Sequence, residues 1–126
     1  MLLKDRLLRW LPAILWSLVI FVFSSLAGAD FSKSHESNFL IRKVLHIVEY
    51  SILCLAFYRG CKKPWLSILL TVLFAVSDEY HQTLIPGRTG KVSDILIDSF
   101  AAGLTGFVLW KYFQNLPEKL KTWLLE

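Results

Sequence analysis

The ionisable side chains that could do chemistry lie at the ends of long apolar segments. They are His46, Glu49, Asp78, Glu79, His81, Asp94 and Asp98. Ionisable groups at membrane depth are costly unless they pair with one another or line a water-filled cavity. Consecutive spanning helices run in opposite directions, so the end of one and the start of the next meet at the same membrane face. These residues therefore predict one polar site at one face of the bilayer.

The second apolar segment carries two of these residues on one helical face. Lys43, His46 and Glu49 follow one another at intervals of three residues and so share that face. Lys43 is expected near the interface, where it can hold a phosphate or a carboxylate. Glu49 is interpreted as a general acid/base or ligand residue, or as half of a structural salt bridge. For His46 the sequence leaves open catalysis or a hydrogen bond in the core.

The third segment ends in a cluster of polar residues. Asp78, His81 and Gln82 share a face because they fall at i, i+3 and i+4, and Glu79 can reach Gln82. Paired carboxylates beside an imidazole can transfer protons or coordinate a divalent cation. Since no H-E-x-x-H or cysteine pattern accompanies them, we expect no resident cofactor or metal, while a divalent cation stays open as a ligand.

The loop after the third segment and the start of the fourth add further candidates. Arg88 lies in the turn-rich stretch 86–90, where a guanidinium and glycine amides can bind a phosphate or carboxylate together. Alternatively, Arg88 pairs with Asp94 or Asp78. Asp94 and Asp98 form one stripe at i and i+4. Asp94 could cap the fourth helix, whereas Asp98 lies one turn deeper and is assigned to the site.

These residues predict a site with two parts. The predicted catalytic residues are His46, Glu49, Asp78, Glu79 and Asp98. The predicted substrate-binding residues are Lys43, Gln82, Arg88 and Asp94.

The composition predicts an all-α polytopic membrane protein with a single domain over residues 1–126. Of the 126 residues, 55% are hydrophobic and 19% are charged, with a mean hydropathy of +0.50. A soluble domain of this size would not need so much apolar surface. Apolar stretches of about 20 residues can cross a bilayer. We expect a four-transmembrane-helix bundle with short amphipathic termini and spans at about 10–29, 39–60, 64–83 and 92–112.

The first apolar stretch could be a span or a signal peptide. The uncharged segment from Trp10 to Ala29 is long for the apolar region of a signal peptide, so it is interpreted as a retained span. Pro12 is expected in its first turn, where a missing N–H does no harm. The polar stretch 30–38 is predicted to be a mobile loop above the site.

Two other patterns are interpreted as packing. Cys54 and Cys61 lie seven positions apart on one helix, too far for a disulfide. Ser99-x-x-x-Gly103 and Ala102-x-x-x-Gly106 are small-residue patterns that let helix backbones approach closely.

The distribution of basic residues predicts the orientation. With the N-terminus inside, nine Lys and Arg residues fall on the inner side and five on the outer side. This bias places both termini in the cytoplasm and the polar site outside. It also accounts for the net charge of +4. Because no basic run has interleaved aromatic residues, we expect no nucleic-acid partner.

The polar motifs resemble those of a known family. Ser77-Asp78-Glu79-Tyr80-His81-Gln82, Pro86-Gly87-Arg88 and Asp94-x-x-x-Asp98, together with Lys43-x-x-His46-x-x-Glu49-Tyr50, are similar to motifs of the VanZ-like family of bacterial integral membrane proteins. The resemblance covers roughly residues 10 to 112. It implies a place in the cell envelope and a link to reduced teicoplanin susceptibility. The recurrent polar positions of the family correspond here to Lys43, His46, Glu49, Asp78, Glu79, Gln82, Arg88, Asp94 and Asp98.

These observations favour a protein of the bacterial cytoplasmic membrane with an outward-facing site. We expect the site to bind, and to hydrolyse or modify, an anionic lipid-linked envelope molecule. The alternative is a non-catalytic protein that binds or shields a lipid or lipoglycopeptide. A proton-coupled transporter is less favoured because the polar groups occur at only one end of the spans. The expected partners are membrane lipids or a lipid-linked precursor, and a homo-oligomer stays open.

Overall fold

The structure is a computed structural model that describes residues 2–26 and 35–126. Within these residues the chain is all-α and contains no strand, which confirms the all-α part of the predicted fold class. The helices are α1 (Leu3–Ser25), α2 (His35–Cys61), α3 (Pro64–Thr83), α4 (Val92–Lys111), a 3₁₀ helix (Phe113–Asn115) and α5 (Glu118–Leu125).

The bounds of α3 and α4 follow local signals in the sequence. Pro64 occupies the start of α3, where its fixed φ suits the first turn of a helix. Between α3 and α4, Gly87 adopts a φ of 81°, which glycine tolerates without strain. Gly90 is needed for another reason, since a Cβ there would lie 2.8 Å from the carbonyl oxygen of Glu79. The predicted spans 64–83 and 92–112 therefore agree closely with the observed helices.

The first two helices begin earlier than predicted. α1 starts at Leu3 rather than at Trp10, because the basic flank continues the helix and Asp5 accepts the Leu2 N–H at 3.3 Å. Pro12 therefore lies inside α1, and its predicted place in the first turn was wrong. α2 begins at His35, so the predicted loop 30–38 is helical from that residue onward. The predicted loop segment 30–34 lies outside the described residues.

Contacts between neighbouring helices show that α1 to α4 run antiparallel in chain order. Trp16 Nε1 donates to the carbonyl of Glu49 at 2.9 Å, joining α1 to α2. Tyr50 OH reaches Asp78 at 3.1 Å, joining the middle of α2 to the end of α3. The backbone N–H of Lys91 reaches Glu79 at 2.6 Å, joining the end of α3 to the start of α4. The middle of α2, the end of α3 and the start of α4 therefore lie together, because α2 begins about three turns before the predicted polar positions.

Small residues set the helix spacing at two places. A Cβ on Gly60 would lie 2.6 Å from the Trp10 ring, and one on Gly106 would overlap the Ile68 side chain. The Ala102-x-x-x-Gly106 pattern therefore marks a packed helix face, as predicted. At Gly103, by contrast, a Cβ would meet no described atom within 4 Å. The Ser99-x-x-x-Gly103 pattern consequently does not mark a helix contact.

The predicted amphipathic C-terminus forms α5, which packs against the bundle. Leu124 is fully buried and clusters with Tyr58 and Leu109. Arg59 donates to the Trp123 carbonyl at 2.7 Å, and Lys62 donates to the Leu124 carbonyl at 2.5 Å. These two cations complement the negative end of the α5 dipole. Cys54 and Cys61 are both free, as predicted.

Two of the described helices, α1 and α4, are long and apolar enough to cross a bilayer by length and composition. Their mean hydropathy values are 1.9 and 1.5. α2 and α3 are more polar at one end, so the predicted crossing of the membrane by all four helices stays a prediction. Large apolar side chains are exposed on the outside of the bundle, including Leu15, Val22 and Leu104. A continuous exposed apolar surface is suited to contact with lipid.

Candidate functional site

The buried ionisable residues gather where the ends of α1 and α3 and the start of α4 meet the middle of α2. Four helices contribute to this polar layer, which we define by Ser24, His46, Glu49, Tyr50, Asp78, Glu79, Gln82 and Asp98. The carboxyl groups of Glu49, Asp78 and Asp98 are close enough to interact electrostatically. The predicted gathering of acidic and imidazole groups from separate helices is therefore present.

Asp78 joins three helices through its carboxylate. Its Oδ1 accepts a hydrogen bond from Ser24 Oγ at 2.6 Å, and its Oδ2 accepts from Tyr50 OH at 3.1 Å and Gln82 Nε2 at 3.3 Å. The residue is only 3% exposed. These three donors satisfy both oxygens of the buried carboxylate. This geometry favours a structural and electrostatic role for Asp78 over a role in proton transfer.

His46 and Asp98 form the most informative pair in the layer. His46 Nδ1 lies 3.0 Å from Asp98 Oδ1. Asp98 is 1% exposed, whereas the His46 side chain is 20% exposed. A buried carboxylate that accepts from Nδ1 fixes the imidazole tautomer and leaves Nε2 as a base. The pair therefore has the arrangement needed for general base catalysis.

Two buried carboxylate oxygens in this layer lack a hydrogen-bond donor within the described residues. They are Asp98 Oδ2 and Glu79 Oε2. The other oxygen of Glu79 accepts the backbone N–H of Lys91, so Glu79 stabilises the N-terminus of α4. Buried polar atoms without partners are uncommon. These two oxygens can accept hydrogen bonds from water or from a ligand.

Asp94 does not cap α4 as the sequence suggested. Lys91 is the N-cap residue of α4, and Asp94 lies in the first turn. The Asp94 carboxylate instead forms an ion pair with the Lys43 ammonium group, which also lies 5.2 Å from the centre of the Phe39 ring. Two predicted substrate-binding residues therefore contact each other at the edge of the site.

Glu49 is half-buried in the polar layer. Within the described part of the chain its carboxylate has no hydrogen-bond or ion-pair partner, although the side chains of His46, Asp78 and Arg88 lie within electrostatic range. Its backbone carbonyl is held by Trp16. Of the predicted catalytic residues, Glu49 has the carboxylate most available to a ligand.

Arg88 adopts a position that neither sequence interpretation predicted. Its Nε donates to the Leu26 carbonyl at 2.9 Å, and a terminal nitrogen lies 3.4 Å from the Phe23 carbonyl. It forms no direct ion pair with Asp78 or Asp94 among the described residues. Partial burial and the nearby Arg42 lower the pKa of Arg88. The guanidinium therefore caps the last turn of α1 at the edge of the site.

The end of the first span at Ser24 and Ser25 was expected to line the same pocket, but the individual hydrogen bonds there were not predicted. Tyr50, Ser24 and His81 each use a polar side chain to join helices, and His81 Nε2 lies 2.9 Å from Ser25 Oγ. The His81 ring also stacks on Phe21, with centroids 4.2 Å apart. A tyrosine in an apolar helix was the available signal, because a buried phenol requires a hydrogen-bond partner.

Within residues 2–26 and 35–126, no three His, Cys, Asp or Glu side chains converge in a way that could hold a metal ion.

Comparison with known proteins identifies one family. The model of a family described as VanZ/LLP1 matches residues 7–114. No curated protein and no solved structure matches the chain.

Proposed function

Since the chain belongs to the VanZ/LLP1 family, we propose that it is a multi-pass protein of the bacterial cytoplasmic membrane that acts on an anionic lipid-linked envelope molecule. The family match and the two apolar helices indicate a membrane protein. Four spans, cytoplasmic termini and an outward-facing site are part of the proposal. The link to teicoplanin susceptibility enters through the resemblance to the VanZ-like family.

The single observation that carries a catalytic function is the pairing of His46 with the buried Asp98 at 3.0 Å. Asp98 orients the imidazole, and His46 Nε2 removes a proton from water or from a substrate hydroxyl. The oxygen that loses the proton then attacks a phosphorus or carbonyl carbon of the head group. The bond from that atom to its leaving oxygen breaks, and the imidazolium of His46 returns the proton to the leaving oxygen. Glu49, whose carboxylate has no partner among the described residues, supplies a second acid–base group beside His46.

The distribution of charge with depth supports an anionic head group as the ligand. Arg42, Lys43, Arg88 and Lys91 lie at the edge of the site, near enough in pairs to repel each other. The acidic residues Glu49 and Asp98 lie deeper along their helices. Clustered cations at a membrane surface attract anionic groups. A phosphate bound at this edge would place the adjoining bonds of the head group above His46.

Lys43 and Asp94 suggest how the ligand is admitted. Their ion pair lies at the edge of the layer, and both side chains are partly exposed. A phosphate that binds Lys43 would displace Asp94, and Arg88 and Gln82 would provide further donors. In this exchange Lys43 binds the phosphate, and Asp94 holds Lys43 in place until the phosphate arrives.

A turnover assay tests the proposal. The purified protein in lipid nanodiscs is incubated with labelled lipid-linked envelope precursors, and products are separated by chromatography. We expect turnover by the wild type and its loss in His46→Gln and Asp98→Asn, with unchanged membrane abundance. Tyr80→Phe is the control, because Tyr80 lies on the same helix end but is 68% exposed. Equal turnover in all variants would contradict a role for the His46–Asp98 pair.

A non-catalytic binding protein is the second candidate. The three hydrogen bonds to Asp78 and the Lys43–Asp94 ion pair show that several polar groups of the site satisfy one another. Such a layer could hold or shield a head group without reacting. This function predicts that Lys43→Ala and Arg88→Ala reduce teicoplanin tolerance of cells, whereas His46→Gln does not. The catalytic function predicts that all three variants reduce it.

A further inference from the structure

An apolar groove runs along α1 on the side that faces α3. Its volume is about 290 Å³. α1 packs mainly on α2 and less on α3, which leaves the groove open along its length. The side chains that line it include Trp10, Ala13, Ser17, Phe21, Phe57 and Phe74.

The groove extends from Phe21, one turn away from the polar-layer residue Ser24, to Trp10. At the polar end, the Phe21 ring stacks on His81, and Ser24 in the next turn binds Asp78 at 2.6 Å. At the opposite end, the Trp10 ring packs so closely on α2 that Gly60 has no room for a Cβ. Between Phe21 and Trp10 the helix rises by roughly 16 Å. That length is about half of a hydrocarbon core of about 30 Å, which is the depth of one leaflet.

We infer that this groove holds the hydrocarbon chain of the same anionic amphiphile whose head group binds at the polar layer. The inference rests on the proposed function, because that function supplies the anionic head group. The cations at the edge select the charge of the occupant, and the groove below Phe21 has the length and apolar lining for one chain. A substrate bound in both places would enter sideways from the outer leaflet.

Photolabelling in nanodiscs tests the inference. The probe is phosphatidic acid with a diazirine in the middle of one acyl chain, and the comparison probe is phosphatidylcholine with the same chain. After illumination, labelled residues are located by mass spectrometry of peptides. We expect labelling of Ser17, Phe57 and Phe74 by phosphatidic acid to exceed that of the lipid-facing Leu15 and Val22 several-fold. Phosphatidylcholine should label both sets of residues to a similar extent.

Variants of Ser17 test whether the acyl chain of the probe lies in the groove. Ser17→Phe fills the groove and Ser17→Leu fills it in part, so groove labelling should fall in the order wild type, leucine variant, phenylalanine variant. Leu15→Phe is the matched control on the lipid-facing side of α1, where the side chain is 53% exposed. It should leave groove labelling unchanged.

The results separate failure of the inference from failure of the proposed function. If phosphatidic acid is enriched over phosphatidylcholine and Lys43→Ala abolishes that enrichment, the head-group site stands. Equal labelling of groove and lipid-facing residues would then show that the acyl chain does not occupy the groove, while the head-group site would be unaffected. Equal groove enrichment of both probes would also overturn the inference about the groove, since bulk lipid would account for the occupant. No enrichment of phosphatidic acid anywhere would overturn the head-group site and the groove together.

Discussion

At the scale of single residues, Asp98 combines a functional contact with an energetic cost. One carboxylate oxygen binds His46, while the other is buried without a donor among the described residues. A buried charge that is incompletely hydrogen-bonded opposes folding, even where it serves the chemistry of a site. Function and stability should therefore respond differently when this charge is removed.

We expect Asp98→Asn to lower turnover while leaving the protein folded. The amide retains the shape of the carboxylate but cannot fix the imidazole tautomer or stabilise its charged form, so turnover should fall by at least about 100-fold. Asparagine has nearly the same volume as aspartate and removes a buried charge that is incompletely hydrogen-bonded, so the melting temperature in detergent should be unchanged or raised. Asp94→Asn, at the partly exposed edge of the site, is the comparison for loss of a carboxylate. A lower melting temperature with normal turnover would show that Asp98 is structural.

Tyr50 provides the opposite case, in which the main effect is on stability. Its hydroxyl donates to Asp78 at 3.1 Å, and its ring is fully buried. Tyr50→Phe removes a donor from a buried carboxylate, which should cost about 1.5–3 kcal/mol of unfolding free energy. Thermal unfolding in one detergent measures the loss. Tyr80→Phe should change stability by no more than about 0.5 kcal/mol, so equal effects of the two variants would contradict the importance of this bond.

At the scale of helices, two glycines test how tightly α1 is held. Gly60→Ala would place a Cβ 2.6 Å from the Trp10 ring and push α1 away from α2. We expect a loss of about 1–3 kcal/mol, the usual cost of overpacking. Gly103→Ala meets no described atom within 4 Å, so it should stabilise α4 by up to about 1 kcal/mol through helix propensity. If both variants unfold at the wild-type temperature, the close α1–α2 contact is absent.

The sequence predicted the elements better than the contacts between them. Hydropathy and turn residues predicted α3 and α4, because a bilayer fixes the length of an apolar helix. They misplaced the start of α1, since a helix continues beyond its apolar part while its flank has no breaker. Antiparallel threading also predicted that Glu49, Asp78 and Asp98 would meet, because the position of each on its helix sets its depth.

Particular partners could not be predicted in the same way. Arg88 donates to the backbone carbonyl of Leu26. Because every residue has a backbone carbonyl, the residue type does not show which carbonyl will accept a hydrogen bond. The rotation of each helix about its axis decides which residues pair, and close contacts such as Trp10 on Gly60 determine that rotation. For this reason the sequence could not predict that Asp78 accepts hydrogen bonds from Ser24 and Tyr50 rather than pairing with a basic residue.

At the scale of the whole molecule, the proposed function depends on which side of the membrane the polar layer faces. Among the described residues, nine Lys and Arg residues lie towards one side and four towards the other. Positive charge is retained on the cytoplasmic side, so Thr89 should face outward and Lys119 inward. Both residues are exposed, at opposite ends of the bundle. A label that cannot cross membranes will therefore distinguish the two orientations.

The test introduces Thr89→Cys or Lys119→Cys into a chain that carries Cys54→Ser and Cys61→Ser. We expect an impermeant maleimide to label the Thr89→Cys variant in intact cells and the Lys119→Cys variant only after the membrane is permeabilised. The background chain without an added cysteine controls for non-specific labelling. The reverse labelling pattern would mean that the His46–Asp98 pair faces the cytoplasm. The substrate would then have to be a lipid of the inner leaflet, and an action on molecules outside the membrane would be excluded.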